Sequence, residues 1–397
     1  MSSPPIQVDC CRSLDVPGLE QTWNALHRGV PGASLFTSYD WCRCWLETVG
    51  REATAAVAVF RDADRRAVGL APLCINSHNG TRWLGFMGRD RVSGDHLDLI
   101  ARPEDHPRCL QAMLAHLGQN AKDYDGVLLG ELHPDSLTRA GLIEWARSNR
   151  FAWYEREHRR VPYIDLPDSF DALLAGLSAN QRYHVRRRRR GLLKHTSARV
   201  QLIRDEAQVD ATLEAFFELH RRRWEVEGLP GNFQAAAMQE FLRRFCACSA
   251  RLGTLRLFAL SVEAEPSGRP AAPQAVLICF HHGSTASYYQ MGWAPDGAVE
   301  SPGVILLSAS IEQAIAEGLT RYDFLRGEEA YKFRWTQTCA EQTTLVVGCS
   351  RSARVTIAAD RVKNCVRDAM VHCLGPRAWE WARRVTRTAC PVGVPIQ

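Results

Sequence analysis

The sequence contains no C-x-x-C pair, no H-E-x-x-H and no G-x-S-x-G. The first two absences remove the familiar spacings of a zinc site, and the third removes the nucleophile elbow of a covalent hydrolase. Long apolar runs are missing too: nothing approaches the roughly 18 to 20 continuous apolar residues of a membrane span. Met1-Ser2-Ser3-Pro4-Pro5 offers neither a basic start nor an apolar stretch, so a soluble, cytoplasmic protein is expected. Cysteine is not scarce, with fourteen residues, but they fall in pairs such as Cys10-Cys11, Cys42/Cys44 and Cys246/Cys248. Without a secretion signal these read as reduced, mostly buried small hydrophobes rather than a disulfide framework.

What is present is length enough for two ordinary cores: 397 residues, 46% of them hydrophobic. The formal charge of +5 is local. Arg182, Arg186 to Arg190 and Lys194 carry seven positive charges with no acid between them, and the rest of the chain has a slight excess of acid. Five consecutive arginines wrap every face of a helix and repel one another, so neutralising partners are expected. Acidic side chains across a domain interface, phosphates of a nucleotide-bearing ligand and an RNA backbone all qualify.

Strand-like and helical segments alternate from Pro4 to about Leu166. Residues 55–60 and 68–73 read as strands joined by a polar turn at Asp62 to Arg66; 109–117 and 137–148 read as helices around a buried strand at 126–129. The same rhythm returns with helices at 170–177, 181–194 and 208–227 and strands at 255–262 and 275–280, separated by a turn at 265–270. An α/β fold follows, with units at 1–165 and 166–350. A helical extension at 351–397 is broken at Gly375-Pro376 before Ala378-Trp379-Glu380-Trp381. Its arginines and apolar face suit either packing on the parent domain or weak membrane-surface contact.

The most informative stretch is Ser301 to Trp335. Ser301 suits an N-cap and Pro302 the first helical position, while Gly303, Val304 and Ile305 would offer N–H groups to a phosphate at the positive end of a helix. Gly318 is placed to end that helix before Tyr322-Asp323-Phe324-Leu325, which reads as a strand on which Asp323 and Leu325 share a face. A desolvated Asp323 would suit a proton acceptor; pairing with Arg326 or Lys332 is the ordinary alternative. His220 reads as packed core on a helix with Val209, Leu213 and Trp224. Asp95-His96-Leu97-Asp98 on a strand would place His96 and Asp98 on one face and Asp95 on the other, which weakens a metal site there and favours a polar contact to substrate or to a partner domain.

The order of Ser287-Tyr288-Tyr289-Gln290-Met291-Gly292, SPG at a helix start, YDFLRG and YKFRW resembles the GNAT acyltransferase superfamily, and within it the CelD-like branch related in architecture to FemAB peptidyltransferases. Leu35-Phe36-Thr37-Ser38 with Trp41 and Trp45, Gly94-Asp95-His96-Leu97-Asp98, the arginine run and His220 to Trp224 extend the likeness over about Leu35 to Val347. The resemblance implies tandem GNAT-like domains facing one another across a cleft, an acyl-CoA co-substrate, acetyl-CoA in the first instance, no metal, and a small-molecule amine acceptor. It puts the thioester near Tyr289, Met291 and Gly292 and the pyrophosphate at Ser301, Gly303 and Val304. Asp323 and Glu225 are the candidate bases, Tyr331 the candidate acid toward the leaving thiolate, and Lys332 a candidate for neutralising charge on an intermediate. Arg186, Arg187, Arg190, Trp224 and Asp95 are candidates for holding the acceptor. The sequence departs from ordinary GNAT enzymes in lacking a glycine-rich Q/R-x-x-G-x-G/A loop, replaced by Val299-Glu300-Ser301-Pro302-Gly303. Two other functions stay open: a FemAB-like transferase that takes aminoacyl groups from tRNA, and a non-enzymatic accessory protein of polysaccharide biosynthesis.

Overall fold

A computed structural model describes residues 5–374, apart from 79, 90, 195–197, 227, 229–230 and 263–271. The turn expected at 265–270, part of the turn after Trp224, and the helix break and tryptophan pair expected after residue 374 lie outside the described residues.

The first half runs β1 (Gln7–Cys11), α1 (Leu19–Gly29), α2 (Tyr39–Glu47), β2 (Thr54–Ala55), β3 (Val57–Arg61), β4 (Ala67–Ala71), β5 (Leu73–His78), β6 (Thr81–Phe86), β7 (Ile100–Ala101), α3 (His106–Gln119), β8 (Gly126–Leu132), α4 (Leu137–Ser148) and β9 (Ala152–Asp165). The second adds α5 (Phe170–Gly176), α6 (Ala179–Lys194), β10 (Ala198–Ile203), α7 (Glu206–Val226), α8 (Ala236–Arg251), β11 (Leu255–Val262), β12 (Pro273–His282), β13 (Thr285–Trp293), α9 (Pro302–Ala316), β14 (Arg321–Asp323), β15 (Cys339–Gly348) and α10 (Arg351–Leu374). Local chemistry sets many of these limits. Ser38 starts α2 by accepting the Trp41 N–H at 3.3 Å, and Ser136 caps α4 through the N–H groups of Thr138 and Arg139. Between β3 and β4 the Asp62 carboxylate accepts from Asp64 and Arg66, folding the expected hairpin.

A small sheet has the order β1-β3-β4-β7, and a single eleven-stranded sheet passes through both halves in the order β10-β11-β12-β13-β14-β9-β15-β8-β6-β5-β2. The halves are joined at its centre. β9 pairs with β14 over residues 163–165 and with β15 over residues 152–162. β15, late in the chain, is therefore laid between β9 and β8 of the first half. The first turns of α10 pack back on this part of the sheet, burying Ala353 and Ile357 and bonding Arg361 to the Trp153 carbonyl. No helix among the described residues is long and apolar enough to cross a membrane.

Away from the sheet the halves meet through aromatic packing. Trp41 of α2 is fully buried and meets Phe241 and Phe245 of α8 and Tyr289 of β13 edge-on, at centroid distances of 4.9, 4.8 and 5.9 Å. Its indole N–H donates to the Gly88 carbonyl at 3.1 Å. Gly88 has φ +68°, and a Cβ there would fall on the indole, so the position requires glycine on two counts. Replacing Trp41 by Ala should destabilise the fold by about 3–5 kcal/mol, since it opens a cavity where both halves converge. Urea denaturation measures this, and a loss below about 1 kcal/mol would show that Trp41 does not hold the joint.

Candidate functional site

β13 and β14 run parallel for only three residue pairs, from Thr285↔Arg321 to Ser287↔Asp323. Beyond Ser287, β13 continues to Trp293 with no strand partner on that side among the described residues. Asp323 ends the pairing. Its Oδ1 accepts the Leu325 N–H at 2.7 Å, and Leu325 takes a left-handed φ of +56°, which carries the chain away from β13. The expected strand at 322–325 is thus cut after Asp323, and the expected alternation of Asp323 with Leu325 does not apply. On the opposite edge of β13, Tyr289 is an extra residue between the Cys279↔Tyr288 and Ile278↔Gln290 pairs, a β-bulge. Gly292 serves the packing of a helix. A Cβ on it would meet the backbone of Phe216 and His220 at 3.2 Å, so the glycine lets α7 lie close on the sheet.

The open stretch of β13 leads to the first turn of α9. Met291 reaches it: its terminal methyl would stand 2.9 Å from a Cβ on Gly303, so the bare face of this glycine is already packed by protein. Ser301 precedes the helix in a left-handed conformation, and its side chain makes no capping bond; instead its carbonyl accepts the Val304 N–H at 3.0 Å. Positive charge from α6 gathers here. Arg188 pairs with Glu300, and its buried Nε has no partner among the described residues. His184, one helical turn before Arg188, has its proton affinity lowered by burial first and then by Arg188 and Arg334. His184, Arg188 and Arg334 thus gather with Glu300 just before the positive end of α9.

On the same helix Arg182, Arg186 and Arg190 follow one another at four-residue intervals and line a groove of about 870 Å³ with Phe170, Leu174 and Ile315. Arg182 and Arg190 donate to the carbonyls of Ala175 and Arg186, and Arg186 stands 3.9 Å from the exposed Asp171. Arg189 is engaged by Glu312 and lies over the Phe170 ring. Arg187 is exposed and lies outside the groove lining.

Behind the β13–β14 gap the halves exchange charges. Arg326 donates its N–H to Asp95 Oδ2 at 2.8 Å, holds Nε 3.4 Å from Asp95 Oδ1 and pairs Nη1 with Glu131. In return His96 places Nε2 2.8 Å from Asp323 Oδ2. With its amide turned so that oxygen faces His96, Gln342 of β15 accepts from the ring Nδ1 at 3.1 Å and donates to Asp95 and Glu131 at 3.3 and 3.2 Å. Residues 95–98 form no strand; they are irregular, with His96 at φ +54°. Asp98 turns the other way, to Ser136 and Thr138. Burial opposes charge on His96, but Asp323, by its charge and hydrogen bond, and then Asp95 outweigh it, so its proton affinity ends above that of an ordinary histidine.

The remaining sequence candidates are distributed around this centre. Asp323 is buried with both oxygens accepting hydrogen bonds, and Asp95 is fully buried against Arg326. Lys332 is also buried: its Nζ donates to the carbonyls of Leu325 and Arg326 at 3.2 and 2.9 Å and pairs with Glu329 at 2.9 Å, which ties down the loop after β14. Tyr331 shares a hydrogen bond with Tyr288, and burial pushes its phenol well above the usual value. Glu225 lies on the exposed face of α7, paired with Arg221. Trp224 donates its indole N–H to His220 Nε2 at 2.8 Å; burial, then Arg223, lowers that histidine to about 4. The sequence reading did not single out Arg188 within the arginine run or His184 beside it, nor Arg334 at the head of α9, Glu131 in the buried cluster, and Arg223, which lies over Trp293 near the two phenols. An i, i+4 reading of α6 separates 184/188 from 182/186/190 and would have found the first two. No group of residues suited to a metal occurs among the described residues.

Residues 179–333, which contain the splayed strands and α9, match the family model of an acetyltransferase (GNAT) domain. Over this segment, less than half of the chain, the sequence is similar to a GNAT acetyltransferase domain. Its fold is similar to that of FemX, at 12% identity and a TM-score of 0.59 over 82% of this chain and 95% of that one. It is also similar to the C-terminal domain of a putative lysylphosphatidylglycerol synthetase from Agrobacterium fabrum, at 8% identity and 0.52 over 86% and 96%, and to L-PGS from Bacillus licheniformis, at 11% and 0.52 over 85% and 94%. No curated protein matches by sequence.

The His96–Asp323 pair has a stated pH signature. Because the folded-state proton affinity of His96 is raised, the pair contributes fully below about pH 6.5, the unfolded value, and is lost as pH rises through the folded value. The melting-temperature advantage of wild type over His96→Asn should therefore shrink from pH 6 toward pH 9. A constant difference across that range would show that the ring carries no stabilising charge.

Proposed function

We propose that this chain is an N-acyltransferase that moves an acyl group, acetyl in the first instance, from acyl-CoA to an amine of a sugar, sugar nucleotide or amino-acid derivative. The observation that carries this reading is the unpartnered stretch of β13, running from the bulge at Tyr289 to Met291 against the first turn of α9. Such a stretch offers backbone groups to an extended thioester arm, and the helix start offers an anion seat at its far end. Arg188 supports the seat, since its buried Nε lacks a partner among the described residues and its other contact is an exchangeable one with Glu300. A pyrophosphate there would replace Glu300 as the partner of Arg188, with Arg334 alongside.

In this mechanism the acceptor amine attacks the thioester carbonyl directly in a ternary complex, and a β13 backbone N–H near Tyr289 stabilises the developing oxyanion. The leaving thiolate takes a proton from Tyr331, whose partner Tyr288 retains its own. We assign the amine proton to Glu329, a half-exposed carboxylate whose charge is felt by both phenols. Asp323 and Lys332 then act as positioning residues: one ends β14 and the other fixes the loop that carries Arg326. The CelD-like order of motifs supports a sugar-derived acceptor.

A second reading, transfer of an aminoacyl group from tRNA, is favoured by the Arg182, Arg186 and Arg190 stripe. Its roughly 6 Å helical repeat suits successive phosphates of a backbone.

Titration calorimetry with acetyl-CoA and longer acyl-CoAs tests the first reading. Saturable binding is expected in wild type and its loss in Gly303→Asp, which puts a carboxylate at the seat; unchanged binding by the variant would remove the seat from α9. Binding of tRNA alone, falling steeply with salt, would decide for the second reading. In steady-state kinetics Glu329→Gln should lower kcat by about 10²-fold or more with little change in KM for the donor. An unaltered kcat would release Glu329 from the mechanism.

A further inference from the structure

The groove between α5, α6 and the last turn of α9 stands apart from the candidate donor slot: Ile315 and Ala316 line it, about 20 Å along α9 from Pro302. One side of it is basic. Arg182, Arg186, Arg189 and Arg190 stand against Asp171 and Glu312, so four positive charges meet two negative ones, an excess of two. Glu312 is taken by Arg189, and Asp171, whose side chain is 90% exposed, stands 3.9 Å from Arg186. Arg182 and Arg190 each commit one N–H to a carbonyl, of Ala175 at 3.1 Å and of Arg186 at 3.3 Å, which leaves further N–H groups of each guanidinium to serve a ligand. The other walls are apolar: Phe170 and Leu174 of α5 and Ile315 of α9. Tyr183 joins the lining and is 58% exposed.

We propose that this groove holds the headgroup of an anionic phospholipid and so docks the protein on a bilayer surface. The phosphate oxygens accept from Arg182, Arg186 and Arg190, and the first methylenes of an acyl chain lie against Leu174 and Ile315. Tyr183 rests at headgroup depth, where a ring with a polar tip is favoured. At such a surface the burial of apolar groups and the attraction of basic side chains to anionic lipid add to one another. The basic stripe alone also suits a nucleic-acid backbone, but the rest of the groove does not. Bases stack on open aromatic platforms. Arg189 covers the Phe170 ring at 4.7 Å, which leaves Tyr183 as the open aromatic of the lining, and the remaining apolar walls are aliphatic. Asp171 and Glu312 also interrupt the track that a row of phosphates would follow, whereas a single headgroup needs no continuous track. The contact is peripheral, since no helix among the described residues is long and apolar enough to cross a membrane. It is made by α6 and its neighbours rather than by the C-terminal extension, and it does not rest on where the acyl donor binds.

Full-length protein is sedimented with vesicles of phosphatidylcholine mixed with phosphatidylglycerol, and with vesicles of phosphatidylcholine alone. Binding to the mixed vesicles only is expected, weakening as salt is raised. The combined variant Arg182→Gln, Arg186→Gln, Arg190→Gln should lose about 10²-fold in partition to the mixed vesicles, the loss expected for three basic side chains near an anionic surface. Ile315→Asn leaves the charge unchanged and should lower partition severalfold, as contact with an acyl chain requires. Equal binding to both kinds of vesicle, binding to neither, or binding that survives the arginine variant would overturn the proposal. So would wild-type partition in Ile315→Asn, which would reduce the contact to charge alone, and so would protein that takes up tRNA while leaving the mixed vesicles free. Should the arginine variant not fold, Tyr183→Ser at its exposed position carries the test: a severalfold loss is expected, and unchanged partition would overturn the seat.

Discussion

The geometry of the candidate donor slot depends on where β14 stops, and one carboxylate sets that point. Asp323 uses one oxygen to hold the Leu325 N–H and so bends the chain into a left-handed residue; the other oxygen is held by His96 from the opposite half. His96, Glu131 and Leu325 all adopt positive φ without being glycine, at a cost of about 1–3 kcal/mol each. The charges that bind them together are what hold such backbone in place. The opening between β13 and β14 is thus a product of the whole molecule: the second half supplies the strands, and the first half supplies the group that keeps one of them short.

The exchange is reciprocal, which gives the interface its direction. Arg326 from the second half is answered by Asp95 and Glu131 of the first, and Asp323 by His96 of the first, while Gln342 on the returning strand β15 can touch both sets. A buried ion cluster of this kind is a weak source of net stability, because desolvation offsets much of the attraction. Its value here lies in register. Sliding β15 or the 95–98 segment by one residue would leave a buried carboxylate or guanidinium unpaired, at about 3–5 kcal/mol. The apolar contacts around Trp41 tolerate no such ambiguity on the other side, because the indole must also find the Gly88 carbonyl. Sheet continuity, charge pairing and aromatic packing therefore fix the same relative placement of the halves by independent means.

Periodicity made much of this fold legible. The β3–β4 hairpin, α3, α4, α6, α7, β11 and β12 each follow from patterns in the sequence, the helices by their spacing and the strands as short apolar runs, which in β3, β11 and β12 are buried on both faces. The site was less legible where a residue's surroundings come from far along the chain. Asp323 reads as a strand residue beside Arg326 and Lys332, yet its partner is His96, more than two hundred residues earlier. Lys332 reads as a candidate for neutralising charge on an intermediate, and its sequence neighbours give no sign that it is buried against carbonyls of the loop before it. The 95–98 segment reads with strand alternation, but three polar residues within four positions that each find a different distant partner do not follow a period of two. The strand β15 carries little pattern of its own, and its place between β8 and β9 is a property of the assembled sheet.

The arginine run shows how one sequence feature divides into two. Five arginines in a row have no sequence pattern that separates them, yet the helical repeat points Arg188 and His184 at the head of α9 and Arg182, Arg186 and Arg190 into the groove along its other end. The first set faces a helix start, where the backbone adds to its field; the second faces a groove with apolar walls that Asp171 and Glu312 also line, Glu312 being engaged by Arg189. α9 is about 22 Å long by its fifteen residues, so the two basic surfaces are too far apart for a single phosphate to satisfy both. A donor at the head of α9 would leave the groove's four arginines facing two carboxylates, an excess of positive charge suited to a second anionic group or to a ligand long enough to reach both ends of the helix.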